Sequence, residues 1–370
     1  MRVGAAHLTY CTNIHAGESW DEVRGNLERH VAAVKARIAP REPFGIGLRL
    51  SARAARELSS PREMTALRRW LDAHEMYVFT INGFPYGAFH GTRVKEDVYR
   101  PDWLEDDRVD YSDRLADLLA TLLPAGMAGT ISTVPGCFRA RAHDGWEAQA
   151  ATRIARHARH LDELEARTGR SITLALEPEP CCAIETIDEA IAFLARVPSS
   201  ARPRVGVCLD ACHAAVEYED AAAVVSALRG AGVAIAKAQL SAGLQIAPVD
   251  AAARAALAPF AEGVYLHQVV ARRGAALERY VDLPDALAED APADEWRVHF
   301  HVPIFRERLG AFAGTQAWLA SLLALQRAQP FTEHLEVETY TWDVLPAEFR
   351  GEPVDDAIAR ELAWVRDRLR

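Results

Sequence analysis

Four segments far apart in the chain each read as an apolar strand ending on an oxygen donor: ITLALE on Glu177, RVGVCLD on Asp210, VAIAKAQ on Gln239 and HLEVE on Glu338. A carboxylate at the end of an apolar strand is costly unless it is paired or bound to a cation, so each of these positions asks for a partner. Two Glu, one Asp and one amide oxygen suit a hard or borderline divalent ion (Mn²⁺, Zn²⁺ or Mg²⁺) better than a thiolate-seeking one. The register leaves alternatives open. Glu179 and Glu336 share strand faces with Glu177 and Glu338 by the period of two, Asp210 is also a favoured N-cap for the segment after it, and Gln239 could simply satisfy backbone groups.

Other polar residues fall where they could meet a substrate. His7 and Asn13 lie in or after the first strand; Asn82, Phe84 and Tyr86 follow the third. Phe84 and Tyr86 can equally plug a turn set by Gly83, Pro85 and Gly87. His267 sits in GVYLHQVVAR, and His299 and His301 alternate in WRVHFHVPIF. Two imidazoles on one face of an apolar strand point to a polar cavity rather than a dry core. Arg273 could hold a carboxylate or phosphate, or be solvated beside Arg272.

The elements that must position these residues alternate strand and helix. Strands are expected at 2–9, 44–50, 76–82, 128–134 and then at the four donor-bearing segments. Helices are expected at 18–38, from Ser60 and Pro61 onward, at 108–124 and at 146–167. Repeated βα units favour a parallel sheet, and eight of them favour a closed (β/α)₈ barrel, in which the carboxyl ends of the strands share one mouth. All four donors would then converge. The count breaks once, between Gln239 and the last strand, where almost a hundred residues stand in place of one helix. Residues 241–310 are expected to form a hairpin-like excursion over the mouth, with strands at 263–272 and 296–305 joined by the acidic connector LPDALAEDAPADE, all within a single domain spanning 1–370.

Composition sets the class. Of 370 residues, 50% are hydrophobic and 25% charged, the balance of a soluble enzyme with a large core. With 42 basic against 52 acidic residues the formal charge is −10, which disfavours nucleic acid as a partner. No run of 18 or more apolar residues occurs, so direct membrane insertion is not expected. The opening MRVGAAHLTY carries no signal-peptide pattern, so a cytoplasmic location is expected. The six cysteines lack the spacing of a thiolate zinc site and are expected to pack as small buried residues.

The quartet Glu177, Asp210, Gln239 and Glu338 resembles the ligand set of the xylose isomerase-like barrels, the sugar-phosphate isomerase and epimerase superfamily, where Glu, Asp, His or Gln, and Glu hold a divalent metal. Asp210-Ala-Cys-His213 is similar to that superfamily's Asp-x-x-His, which implies a substrate contact for His213. The strings LTYCTNIHAGESW, INGFPYGAFHG, LEPEPCCAIE and HFHVPIF further resemble the EboE family of metabolite traffic proteins. The resemblances imply a small sugar-like metabolite as partner and a metal that stabilises an enediolate, with Glu177 and Glu338 as base and acid for isomerisation or epimerisation. A metabolite-binding hand-off protein and, from the endonuclease branch, a metal-dependent phosphoesterase are the competing readings.

Overall fold

The computed structural model describes residues 1–91, 93–289 and 292–370. Eight parallel strands form the barrel: β1 (Ala6–Tyr10), β2 (Phe44–Arg49), β3 (Met76–Asn82), β4 (Gly129–Thr133), β5 (Ile172–Leu176), β6 (Val205–Asp210), β7 (Ile235–Leu240) and β8 (His334–Val337). Their order in the sheet is β1-β8-β7-β6-β5-β4-β3-β2. The ring is completed by a parallel bridge between Cys11 and Gly47, and by the Thr9 hydroxyl, which donates to Gly45 O at 2.7 Å and accepts from Gly47 N at 3.1 Å. Gly47 suits this seam because a Cβ there would lie 1.7 Å from Glu336 Oε1 and 2.8 Å from Tyr10 O. Strands buried on both faces explain the nearly unbroken apolar runs in the sequence.

Helices cover the outside and start where local chemistry says they should. Ser19 and Glu22 form a reciprocal capping box before Trp20–Asn26, and Thr186 with Glu189 does the same before Ile187–Leu194. The long helix expected at 18–38 contains a π-helical stretch at Leu27–Val31 between two α-helical pieces. All six cysteines are buried and unpaired. Among the described residues no helix is long and apolar enough to cross a membrane.

The insertion is larger than a hairpin. It forms a six-stranded antiparallel sheet from Leu244–Ile246, Val269–Arg273, Ala276–Tyr280, Glu295–Val298, Arg308–Leu309 and Phe312–Gly314. The strands expected at 263–272 and 296–305 survive only in part, because residues 263–268 and 299–305 run irregularly. Within the acidic connector, Leu283–Ala288 is helical and residues 290–291 lie outside the described residues.

Candidate active site

Glu177 directly follows β5, Asp210 ends β6, Gln239 is the penultimate residue of β7 and Glu338 directly follows β8. Adjacent strands pair Asp210 with Gln239, and Gln239 with Glu336, two residues before Glu338. One carboxylate oxygen from each of Glu177, Asp210 and Glu338 lies within 4.8 Å of the others, and all three residues are buried. Glu177 Oε2, Asp210 Oδ2 and both amide atoms of Gln239 have no hydrogen-bond partner. Buried polar atoms are nearly always satisfied, so this set is short of one shared partner, and a divalent cation fits it. Burial, then the neighbouring Glu338 and Asp210 carboxylates, push Glu177 well above the usual carboxylate range. Glu338 is raised likewise by burial, Asp210 and Glu336, against the opposing effect of Lys237 and the Asn13 hydrogen bond.

Each donor is held by its surroundings. Asp210 Oδ1 accepts from His213 N at 2.9 Å, capping the helix Ala211–Val216, and from Ser241 Oγ at 2.7 Å, so its capping role leaves Oδ2 free. Glu338 Oε1 accepts from Asn13 Nδ2 at 2.7 Å and Asn82 Nδ2 at 3.0 Å. Glu336 is fully buried and paired through Oε2 with Lys237 Nζ at 2.5 Å, and it is Glu338 that groups with Glu177 and Asp210. Glu179 instead lines the cavity, where Tyr99 OH donates to its Oε1 at 2.7 Å; burial raises it, against His213 and that hydrogen bond.

Glu177 and Glu338 of the trio line a cavity whose empty space, open solvent included, is about 510 Å³. Its polar wall holds Asn13, Asn82, Glu179, His213 and His299 beside Glu177 and Glu338; its apolar wall includes Phe84, Phe89, Tyr99, Tyr265 and Tyr340. Lys95 is the one Lys or Arg among the lining residues, and its ammonium is engaged by Glu262 O, Tyr265 O and Asp282 Oδ2.

Three imidazoles meet beside the trio. His213 Nδ1 faces Pro178 O at 3.0 Å, His299 Nδ1 faces Gln268 Oε1 at 2.7 Å, and His301 Nδ1 faces Glu338 O at 2.8 Å. Gln268 Nε2 donates to Tyr99 OH and Pro180 O, which fixes its oxygen toward His299. Burial, then His213 and His301, lower His299 well below the ordinary imidazole value. Burial lowers His301 to about 4, with His213 adding to the shift and Asp210 opposing it. Burial also pushes the Cys208 and Cys212 thiols up, which keeps them protonated.

Of the residues expected to contact substrate, Asn82, His213 and His299 line the cavity, and His301 packs against His299 and Tyr340 with ring centroids 5.1 and 4.7 Å away. Four lie elsewhere. His7 stands near the start of β1, at the opposite end of the barrel from the trio; it bonds Tyr77 OH at 2.7 Å and is lowered to about 4 by burial and then Arg2. Tyr86 packs edge-on against Tyr111 outside the cavity lining. His267 is fully buried between Glu262, at 2.9 Å, and the backbone of His299, and stacks on Phe300, so it braces the insertion. Arg273 is paired with Glu278 and Tyr280 at the tip of the inserted sheet. Sequence reasoning missed Tyr99, Lys95, Tyr265 and Tyr340. None of them sits in a barrel strand, and nothing in their spacing marks them.

The chain matches the xylose isomerase-like TIM barrel family over residues 47–367, and it belongs to that family. No curated protein is similar to it in sequence. Among solved structures, it is similar to a D-allulose 3-epimerase from Methylomonas sp. (12% identity, 98% of each chain covered, TM-score 0.55). It is also similar to a D-psicose 3-epimerase crystallised in the presence of D-fructose (16% identity, 98% of this chain and 99% of that one, TM-score 0.53). A third similar structure is an L-ribulose 3-epimerase (12% identity, 98% and 94%, TM-score 0.54). At these identities the likeness shows the barrel fold.

Proposed function

We propose that this protein is a divalent-metal-dependent isomerase or epimerase acting on a small polyhydroxy carbonyl compound. The observation that carries the reading is the buried trio Glu177, Asp210 and Glu338, within 4.8 Å of one another, with Glu177 Oε2 and Asp210 Oδ2 unpartnered, at the cavity that Glu177 and Glu338 line. Glu177, Asp210, Gln239 and Glu338 would hold Mn²⁺, Zn²⁺ or Mg²⁺. A bound ion would supply Lewis acidity that lowers the cost of an enediolate in a substrate presenting a carbonyl and an adjacent hydroxyl. Glu177 and Glu338 would remove and return the proton. Asn13 and Asn82 hold Glu338 in place through its Oε1, which leaves Oε2 for the exchange. The aromatic wall would pack on the carbon face of the substrate. With Lys95 engaged, the lining offers no free cation for a phosphate, so the reading favours an unphosphorylated substrate.

The three structures named above are ketose 3-epimerases, which supports this class. The resemblance to EboE proteins supports the same pocket in a hand-off role without turnover. Exchange of substrate hydrogen with deuterated water, followed by NMR over ketoses, their phosphates and cyclitol ketones, separates the two. Wild-type exchange with an unphosphorylated ketone that falls by roughly 10²- to 10⁴-fold in metal-loaded Glu177→Gln or Glu338→Gln is the expected result. No exchange across the panel would favour the binding protein.

A further inference from the structure

The hydrogen-bonding capacity of the cavity is unevenly spread. Asn13 Nδ2 bonds Glu338 Oε1, and the Oδ1 of the same amide is buried without a partner, as is Glu177 Oε2. Unspent polar atoms therefore stand at the carboxylates. Other polar side chains of the lining are already committed. Asn82 gives Nδ2 to Glu338 and takes Phe84 N on Oδ1, Glu179 Oε1 accepts from Tyr99 OH, and the Lys95 ammonium is spent on Glu262 O, Tyr265 O and Asp282 Oδ2.

The rest of the lining is apolar, and part of it stands apart from the barrel core. Phe89, Val94 and Tyr265 form a small cluster of their own, with Tyr340 packed against it. Three rings meet there, with centroids 5.2 Å apart for Phe89 and Tyr265, 5.3 Å for Phe89 and Tyr340, and 5.1 Å for Tyr265 and Tyr340, and all three line the cavity. Each comes from a different segment: Phe89 from the connection after β3, Tyr265 from the insertion and Tyr340 from just past β8. The backbone ties two of these segments together, because Val94 N and Lys95 N donate to Val264 O at 2.8 and 3.0 Å and Lys95 Nζ donates to Tyr265 O at 2.6 Å. A ring surface held in this way is shaped before a ligand arrives. A hydroxyl buried against it finds no partner and loses affinity, whereas a ring placed there gains contact.

We propose that the substrate is an uncharged α-hydroxy ketone bearing an aromatic or alicyclic ring, with its carbonyl and hydroxyl at the carboxylates and its ring on Phe89, Tyr265 and Tyr340. The proposal rests on the isomerase or epimerase reading and narrows it. Hydroxyls belong at the reacting end of the substrate, and the insertion, through Tyr265, helps to select what is attached to that end.

The test compares three probes of the form HOCH₂–CO–R with the Mg²⁺-loaded full chain: dihydroxyacetone, 1-hydroxy-2-butanone and 2-hydroxyacetophenone, in which R is CH₂OH, CH₂CH₃ and phenyl. Dissociation constants are read by NMR titration. Deuterium uptake at the hydroxymethyl carbon, divided by the buffer-catalysed uptake of each compound, is read alongside. Exchanging the hydroxyl of R for a methyl should tighten binding by roughly 10- to 100-fold, the discrimination an apolar pocket achieves between such isosteres, and phenyl should tighten it further. Phe89→Ala and Tyr265→Ala should each cut the preference for 2-hydroxyacetophenone over dihydroxyacetone by about tenfold, the worth of one aromatic contact. Both residues lie outside the barrel core, and the wild-type series decides the matter if either variant misfolds. A preference for phenyl in binding with no deuterium uptake would keep the substrate class and remove the isomerase reading. Uptake without that preference, or a preference that both variants leave intact, would overturn the proposal and leave the reading standing. Absence of both preference and uptake would remove both.

Discussion

Replacing Lys237 with Met removes the one cation buried among the barrel's carboxylates. Lys237 Nζ lies 2.5 Å from Glu336 Oε2 and donates to Thr80 Oγ1 at 2.9 Å, and neither side chain of the ion pair has any exposed surface. Burial alone would lower its pKa, but the Glu336 carboxylate outweighs that and raises it, so the ammonium is charged at every pH of practical interest. In Lys237→Met the Glu336 charge is left buried and unpaired, with its Oε1 already lacking a partner. Charge centres about 4 Å apart at an effective dielectric of about 20 interact by about 4 kcal/mol. That agrees with the roughly 3–5 kcal/mol typical for removing one partner of a buried pair. An unfolding entropy of about 2.1 cal/mol/K per residue over 370 residues gives roughly 0.8 kcal/mol/K, so Tm should fall by about 5 °C. The double variant Lys237→Met/Glu336→Met should recover most of the loss, because exchanging a whole buried pair for apolar side chains is often close to neutral. Scanning calorimetry of the metal-free proteins at neutral pH reads both. A single variant that melts with the wild type, or a double variant worse than the single, would refute the assignment of Glu336 to an ion pair rather than to metal.

Three further outcomes follow from the site. Because the folded-state pKa values of Glu177 and Glu338 are raised, their contribution to metal-free stability is full below the ordinary carboxylate range and is lost as pH rises through the raised values, by about 1.4 kcal/mol per pH unit for each proton released. Bound metal requires the deprotonated forms, so the Tm gain on adding Mn²⁺ should grow with pH; a gain that stays flat with pH would count against the trio as ligands. Asn13→Ala and Asn82→Ala each remove a hydrogen bond to Glu338 Oε1 and should weaken metal binding by roughly 10- to 100-fold in a calorimetric titration, with the fold retained by circular dichroism. Gly47→Ala drives a Cβ against Glu336 Oε1 and Tyr10 O and should cost about 1–3 kcal/mol in thermal unfolding, whereas Gly230→Ala, with open space around it, should cost nothing.

Strand ends were legible because a parallel barrel turns position in the chain into position in space. Once ITLALE, RVGVCLD, VAIAKAQ and HLEVE are read as strands, their last polar residues fall at the carboxyl ends, and Glu177, Asp210 and Glu338 come within 4.8 Å of one another there. Positions one turn inside the barrel were less legible: Glu336 and Glu338 look alike in sequence, and only Lys237 on the neighbouring strand tells them apart. His299 and His301 were expected together for a reason that fails. The strand ends at Val298, and no alternation extends to 301; instead Phe300 N bonds back to Val298 O at 2.9 Å in a tight turn that brings the two rings to 5.1 Å. Periodicity thus found the right pair through the wrong geometry. For His267 the same logic failed outright, because it lies before the start of its strand and its nitrogens are already taken by Glu262 and the chain of His299. His7 failed on direction, being read at the carboxyl end of a strand that runs on to Tyr10. Tyr99, Tyr265 and Tyr340 come from three connections with no period to read, and they meet at the cavity wall, where the Tyr265 and Tyr340 rings lie 5.1 Å apart. The buried oxygen donors are therefore fixed by secondary structure, and the aromatic wall of the cavity is fixed by tertiary contacts.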